Sequence, residues 1–218
     1  MSDENEVQYP LKPIDGMLER DVDYPQYSLE VLHEALSSAQ LSEQVPLKVR
    51  QLIESAKNLV LYSYYAYMFN QAAEMTGFIA FEMALRIKAQ EESPEMFWNK
   101  KKEKEVVPTL HDLINKAVDL GWIAEHKFED SSYRARRNLE SQYRYEILRS
   151  GICAGDFTLL GPIEEEIEEE VQGMDFVSGM LHAGRSIRNG IAHGKSGFGP
   201  EGLSSVVQHI KLINQLFS

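Results

Sequence analysis

Apolar positions along this chain recur at helical rather than strand spacing, and alternation of the strand type is weak throughout. Over residues 28–43, Leu29, Leu32, Leu36 and Leu41 follow Ser28, whose hydroxyl suits an N-cap, so a short helix is predicted there. Pro46 suits the first turn of a long helical region that reaches about Gln90. Gly77 is its expected weak point, since a glycine costs about 1 kcal/mol relative to alanine inside a helix. From Ala72 to Ile87 the run is broadly apolar, with Phe78, Ile79, Phe81, Met83 and Leu85 spread round the helix. Such a surface needs contacts on more than one side, as at the centre of a bundle or in a dimer interface. Glu82 and Arg86 stand four apart on one face and read as a local ion pair. Tyr62, Tyr64, Tyr65, Tyr67 and Phe69 concentrate aromatic surface that suits core packing or partner contact better than a base-stacking platform.

Residues 92–108 place Pro94 and Pro108 around Lys100, Lys101, Lys102 and Lys104, which predicts a loop or broken helix. Leu110, Leu113, Ile114 and Ala117 form a short stripe that stops near Gly121. A further helix is expected between Ser131 and Ser150, followed by a connection to Pro162, where proline and the glutamates after it favour a helix start. Leu203, Val206, Val207, Ile210, Ile213 and Leu216 predict a terminal helix docked on the bundle. The expected organisation is all-α: a mobile or loosely docked arm over 1–27, an accessory helix over 28–44 and a helical domain over 45–218.

With 218 residues, 43% hydrophobic and 26% charged, the chain can bury one substantial core and does not have the composition of a disordered protein. Cys153 is the only cysteine, which excludes an intramolecular disulfide and a cysteine-ligated zinc site within one chain and points to a reducing, cytoplasmic setting. Acidic, polar residues follow Met1, unlike a secretory signal. No run of about 20 apolar residues offers a membrane span. The net charge of −12 counts against a general nucleic-acid binder. The charge is uneven, however: six of the seven residues from Glu164 to Glu170 are glutamate, whereas Phe176 to Pro200 holds no acid but contains Arg185, Arg188 and Lys195. Further basic residues gather at Arg134, Arg136, Arg137, Arg144 and Arg149.

The chemically distinctive run is LHAGRSIRNGIAHGKSG, residues 181–197. Gly194 and Gly197 predict a helix end just after His193. Projected at about 100° per residue from His182, Ser186 falls near 40°, Asn189 near −20°, His193 near 20° and Arg185 near −60°. Asp175 and Ser178 continue this polar stripe upstream, while Phe176, Met180, Ile187 and Ile191 face the other way and should bury. Arg188 projects about 140° from His193. The two converge only if the helix changes near Gly190 or Gly194, or if a second chain brings its matching helix alongside.

This set suits phosphate chemistry. Arginine can contact two nonbridging oxygens and stabilise developing charge. A histidine of near-neutral pKa can move a proton. Asparagine can orient substrate or imidazole without titrating. The combination could support metal-independent RNA cleavage, in which the 2′-hydroxyl attacks the adjacent phosphorus. No cluster of carboxylates and histidines calls for a metal, and no cofactor is expected. By chemistry alone a simpler reading also stands: His193 before Gly194 caps a helix end, and Arg185 is a solvent-facing charge.

Arg188-Asn189-Gly190-Ile191-Ala192-His193-Gly194 resembles the signature of the HEPN superfamily, helical domains associated with nucleotide-binding and RNA-targeting systems. The family pattern is an arginine, a polar residue and then a histidine after four to six intervening positions. Upstream, Glu82-Met83-Ala84-Leu85-Arg86 resembles the earlier long helix of such domains. The resemblance implies a HEPN-like bundle with a C-terminal motif-bearing helix, and a homodimer that joins two motifs in one cleft. It implies that Arg188 stabilises the scissile phosphate, His193 transfers a proton or positions phosphate, and Asn189 orients the site. Arg185, His182 and Ser186 would then support the site, and Lys195 would contact RNA at its edge. An inhibitory protein or nucleotidyltransferase partner, and a place in defence or a toxin system, fit the same resemblance. Other members are noncatalytic binding or adaptor modules, and the acidic total charge keeps that alternative open.

Overall fold

Ser28 caps α1 (Leu29–Ser38), its side-chain oxygen accepting from the Val31 amide at 3.4 Å. The computed structural model describes residues 11–22, 27–99, 103–124, 127, 132, 135–136, 138–140, 142–143, 162–173 and 202–218, and these are mostly helical. Leu32 and Leu36 of α1 are buried in the main core. The helix stops at Ser38, five residues short of the predicted end at 43. Asn214, far along the chain, supplies the reason: its Oδ1 accepts from the Ser42 amide at 2.9 Å, and its Nδ2 donates to the Gln40 carbonyl at 2.9 Å. One side chain thus takes the backbone groups that a further helical turn would need. Asn214→Ala is expected to cost about 1 kcal/mol, as one part-buried and one exposed hydrogen bond are lost, read as a lower urea midpoint with unchanged slope.

Pro46 precedes α2 (Leu47–Tyr62), which buries Val49, Ile53, Ala56 and Val60. The long region predicted to reach Gln90 does break, but not at Gly77. It breaks over Ser63–Met68, and α3 (Phe69–Glu92) runs straight through the glycine. The turn is held from outside: Asp21 donates its amide to the Tyr64 carbonyl at 2.9 Å and accepts from the Tyr67 amide at 3.0 Å. Tyr64 and Tyr65 meet edge to face at 5.2 Å, and Tyr67 is buried. The aromatic concentration therefore shapes the α2–α3 connection. Gly77 stays helical because its missing side chain admits a neighbour; a Cβ there would lie 3.0 Å from His209 Nδ1.

After α3, a 3₁₀ turn at Pro94–Phe97 leads into β1 (Trp98–Asn99), which pairs antiparallel with β2 (Lys104–Glu105). This hairpin, two residues per strand, stands where a loop or broken helix was predicted; strands so short carry no alternation to read. α4 (Leu110–Asp119) opens on a capping box between Thr109 and Asp112 and ends before Gly121, at φ 67°. All four residues of its predicted stripe are buried.

Residues 135 to 143 that are described are helical and face α5 (Glu164–Gly173), with Ala135, Ile167 and Val171 forming a second, small cluster. The acid-rich α5 draws its partners from that side: Arg136 pairs with Glu164 at 2.7 Å, and the Tyr143 hydroxyl donates to Glu166 at 2.7 Å. That bond and the Ile163 amide hold the Glu166 carboxyl below its usual range. Finally α6 (Gly202–Leu216) buries Val206, Ile210, Ile213 and Leu216 against α3, as the apolar pattern predicts. The broad apolar surface of α3 is covered mainly by α2 on one side and α6 on the other.

Candidate functional site

Arg188, Asn189 and His193 lie outside the described residues, as do His182, Arg185, Ser186 and Lys195. The helix-face residues Phe176, Met180, Ile187 and Ile191 lie outside them too. What is described is where the chain leaves and re-enters. It leaves at Gly173, the end of α5, and returns at Gly202 against the start of α3. A Cβ at Gly202 would stand 2.5 Å from Asn70 Oδ1 and 3.1 Å from Asn70 Cα. Only glycine lets the first turn of α6 approach the α3 backbone this closely. Gly202, five positions beyond the candidate segment, is thereby tied to the Asn70 end of α3.

On α3, the Glu82–Arg86 pair closes at 2.8 Å, and Arg86 Nη1 also donates to the Pro108 carbonyl at 3.2 Å. Arg86 therefore joins α3 to the approach of α4, and the local ion pair read from the spacing is present. Arg86 also borders an open cavity of about 760 Å³ walled by Phe97, Trp98, Val106 and Val107.

The described histidines serve the helices that carry them. His33 contacts Ser37 at 3.4 Å and His111 contacts Asn115 at 3.1 Å, each one turn away. His209 lies against Phe78 and Phe81, with ring centroids 5.9 and 6.1 Å away, and its Nδ1 is buried without a partner. Burial disfavours the imidazolium and pushes its pKa down to about 4, opposed in part by the Ser205 backbone. His209 is therefore neutral at pH 7 and unsuited to exchange protons there. As pH falls below about 6.5 the unfolded imidazole takes a proton that the folded one refuses until about 4, so stability declines across that window. The loss reaches up to about 3 kcal/mol. His209→Leu should remove this part of the slope, seen as a smaller drop in urea midpoint between pH 7 and 4.5 than in the parent chain.

Asp21, Asn70, Asn214 and Gln215 emerge as polar joints that sequence reasoning missed. A signal existed for the last two, which interrupt the apolar run Leu212, Ile213, Leu216. Among the described residues no group of three or more His, Cys, Asp or Glu side chains could hold a metal ion, and no helix is long and apolar enough to cross a membrane. No family model matches the chain, and no curated protein or solved structure matches it.

Proposed function

We propose that this protein is a metal-independent endoribonuclease of the HEPN type, working as a homodimer in the cytoplasm in defence or a toxin system. A single observation carries the reading: arginine, asparagine and histidine at positions 188, 189 and 193, followed by glycine, in the late part of an all-α chain. In this reading an imidazole accepts the proton of the RNA 2′-hydroxyl as that oxygen attacks the adjacent phosphorus. The bond to the 5′-oxygen breaks, the leaving oxygen takes up a proton, and the guanidinium stabilises the charge on the nonbridging oxygens. Because Arg188 and His193 project about 140° apart on an ideal helix, the reading places the residues of two chains in one cleft. His182, Arg185, Asn189 and Ser186 line the polar stripe beside them, and Lys195 serves the edge. The test is cleavage of single-stranded RNA by the purified chain in excess EDTA, leaving a 2′,3′-cyclic phosphate and a 5′-hydroxyl.

A noncatalytic HEPN-like binding or regulatory module is the second reading. Two observations favour it: the net charge of −12, and the use of Arg136 within the fold to pair with Glu164. It leads if a broad panel of RNAs is left uncut after removal of inhibitory protein or nucleotidyltransferase partners.

A further inference from the structure

The cavity of about 760 Å³ that Arg86 borders opens between the later turns of α3 and the β1–β2 hairpin. Its size is that of a small-molecule site. The hairpin sets the chemistry of one wall. Trp98 and Glu105 are partners in the antiparallel register, so their side chains stand next to each other on one face, and both line the cavity. The Val106 amide donates to the Phe97 carbonyl at 2.9 Å and holds the strands together beside them. The Trp98 indole is 48% exposed, whereas Trp122 is 8% exposed in the core. An open indole beside a carboxylate offers a π-face and two adjacent acceptor oxygens to the same ligand.

The α3 wall supplies donors. Arg86 is fixed in orientation, with Nη2 donating to Glu82 at 2.8 Å and Nη1 to the Pro108 carbonyl at 3.2 Å. A guanidinium carries five N–H groups in a planar fork, and Gln90 adds a side-chain amide to the same wall. The matching ligand is flat and aromatic, gives two neighbouring N–H groups to a carboxylate, and accepts hydrogen bonds elsewhere on its rim. Among the common nucleobases guanine alone sets two N–H donors side by side on its Watson–Crick edge, N1–H and N2–H. Adenine and cytosine place a ring acceptor next to their amino group, and uracil flanks its single N–H with acceptors. Round the ring from N1, guanine presents O6 and N7 as acceptors. A guanidinium cation would meet Trp98 and Glu105 in a similar way, but the positive charge of Arg86 favours the neutral ring.

We propose that this cavity binds a guanine base, stacked on Trp98, with N1–H and N2–H donating to Glu105 and with O6 and N7 facing Arg86 and Gln90. The site stands apart from the ribonuclease reading and does not depend on it. Guanosine and adenosine 5′-monophosphates probe it with the phosphate held constant, titrated into the full chain by calorimetry and followed by Trp98 fluorescence. The guanine nucleotide should bind saturably, one per chain, at least about tenfold more tightly than the adenine nucleotide, and should quench the indole. Glu105→Gln, a change at an exposed position, should cut that preference to about threefold or less with an unchanged circular dichroism spectrum. Trp98→Leu should weaken both nucleotides, and Trp98→Phe should recover most of the binding. A thymidine hexamer carrying one dG, set against the plain hexamer, separates the two sources of the base. Binding that depends on dG assigns it to a nucleic-acid strand, and binding of the mononucleotide alone assigns it to a free nucleotide. Equal affinity for the two mononucleotides, unsaturable binding, a guanine preference that survives Glu105→Gln, binding that survives Trp98→Leu, or displacement by equimolar methylguanidinium would each overturn the proposal.

Discussion

Alanine in place of Arg188 or of His193 is expected to lower EDTA-resistant RNA cleavage by at least about a hundredfold, the usual scale for losing a positioned acid–base group or a charge-stabilising donor. The two losses have different causes. Arg188→Ala removes positive charge from the phosphorane oxygens, where it is worth most as the transition state forms. His193→Ala removes the group that carries the proton, so Arg188→Lys should recover part of the rate while no neutral aliphatic residue recovers any at position 193. Asn189→Ala should have a smaller effect, since an amide orients but does not titrate. Position 193 stands at an expected helix end, so a fall in rate counts only in variants whose circular dichroism and sedimentation match the parent. Unchanged cleavage in folded, dimeric Arg188→Ala and His193→Ala proteins would assign the activity to another site or to a contaminant.

Phe81→Ala should be the most damaging single truncation in the described core. Phe81 is 1% exposed, sits in the middle of α3, and its ring lies 6.1 Å from that of His209 on α6. Its removal takes away transfer free energy and opens a void between two helices that a buried seam holds together. Phenylalanine-to-alanine changes of this kind cost about 3–5 kcal/mol. Against a typical total of about 5–15 kcal/mol, that leaves a protein near its unfolding midpoint under mild denaturant. Phe81→Leu keeps most of the volume and should cost clearly less. A loss under about 1 kcal/mol for the alanine variant, by urea titration, would mean that the α3–α6 seam contributes little to the core.

Much of the helical plan was legible because it is local. Ser28 is a cap that a few neighbouring residues define, and the apolar spacing of α4 and α6 predicts their buried faces. What escaped reading depends on partners far along the chain. The early end of α1 rests on Asn214, 172 positions beyond Ser42. The break at Ser63–Met68 rests on Asp21, 46 positions before Tyr67. Gly77 looked like a helix breaker by propensity, yet the same missing Cβ is what lets His209 approach, so packing outweighs the local cost. The candidate site was legible as residue types at a spacing. How Arg188 and His193 would meet in the proposed cleft was not, because a periodic pattern says nothing of a second chain or of a helix that changes at Gly190 or Gly194.

The closure of α3 by α6 sets a timetable for the newborn chain. Phe78 and Phe81 lie in α3, which ends at Glu92, whereas the helix that covers them begins at Gly202. At ordinary translation speeds of about 5–20 residues per second, the ribosome needs roughly 5–20 s to cross that interval. Throughout it, the preceding helices can already pair while one oily flank of α3 stays wet. Messages cut short ahead of residue 202 should therefore yield sticky, chaperone-bound products, and the last helix acts as the latch that ends this exposure.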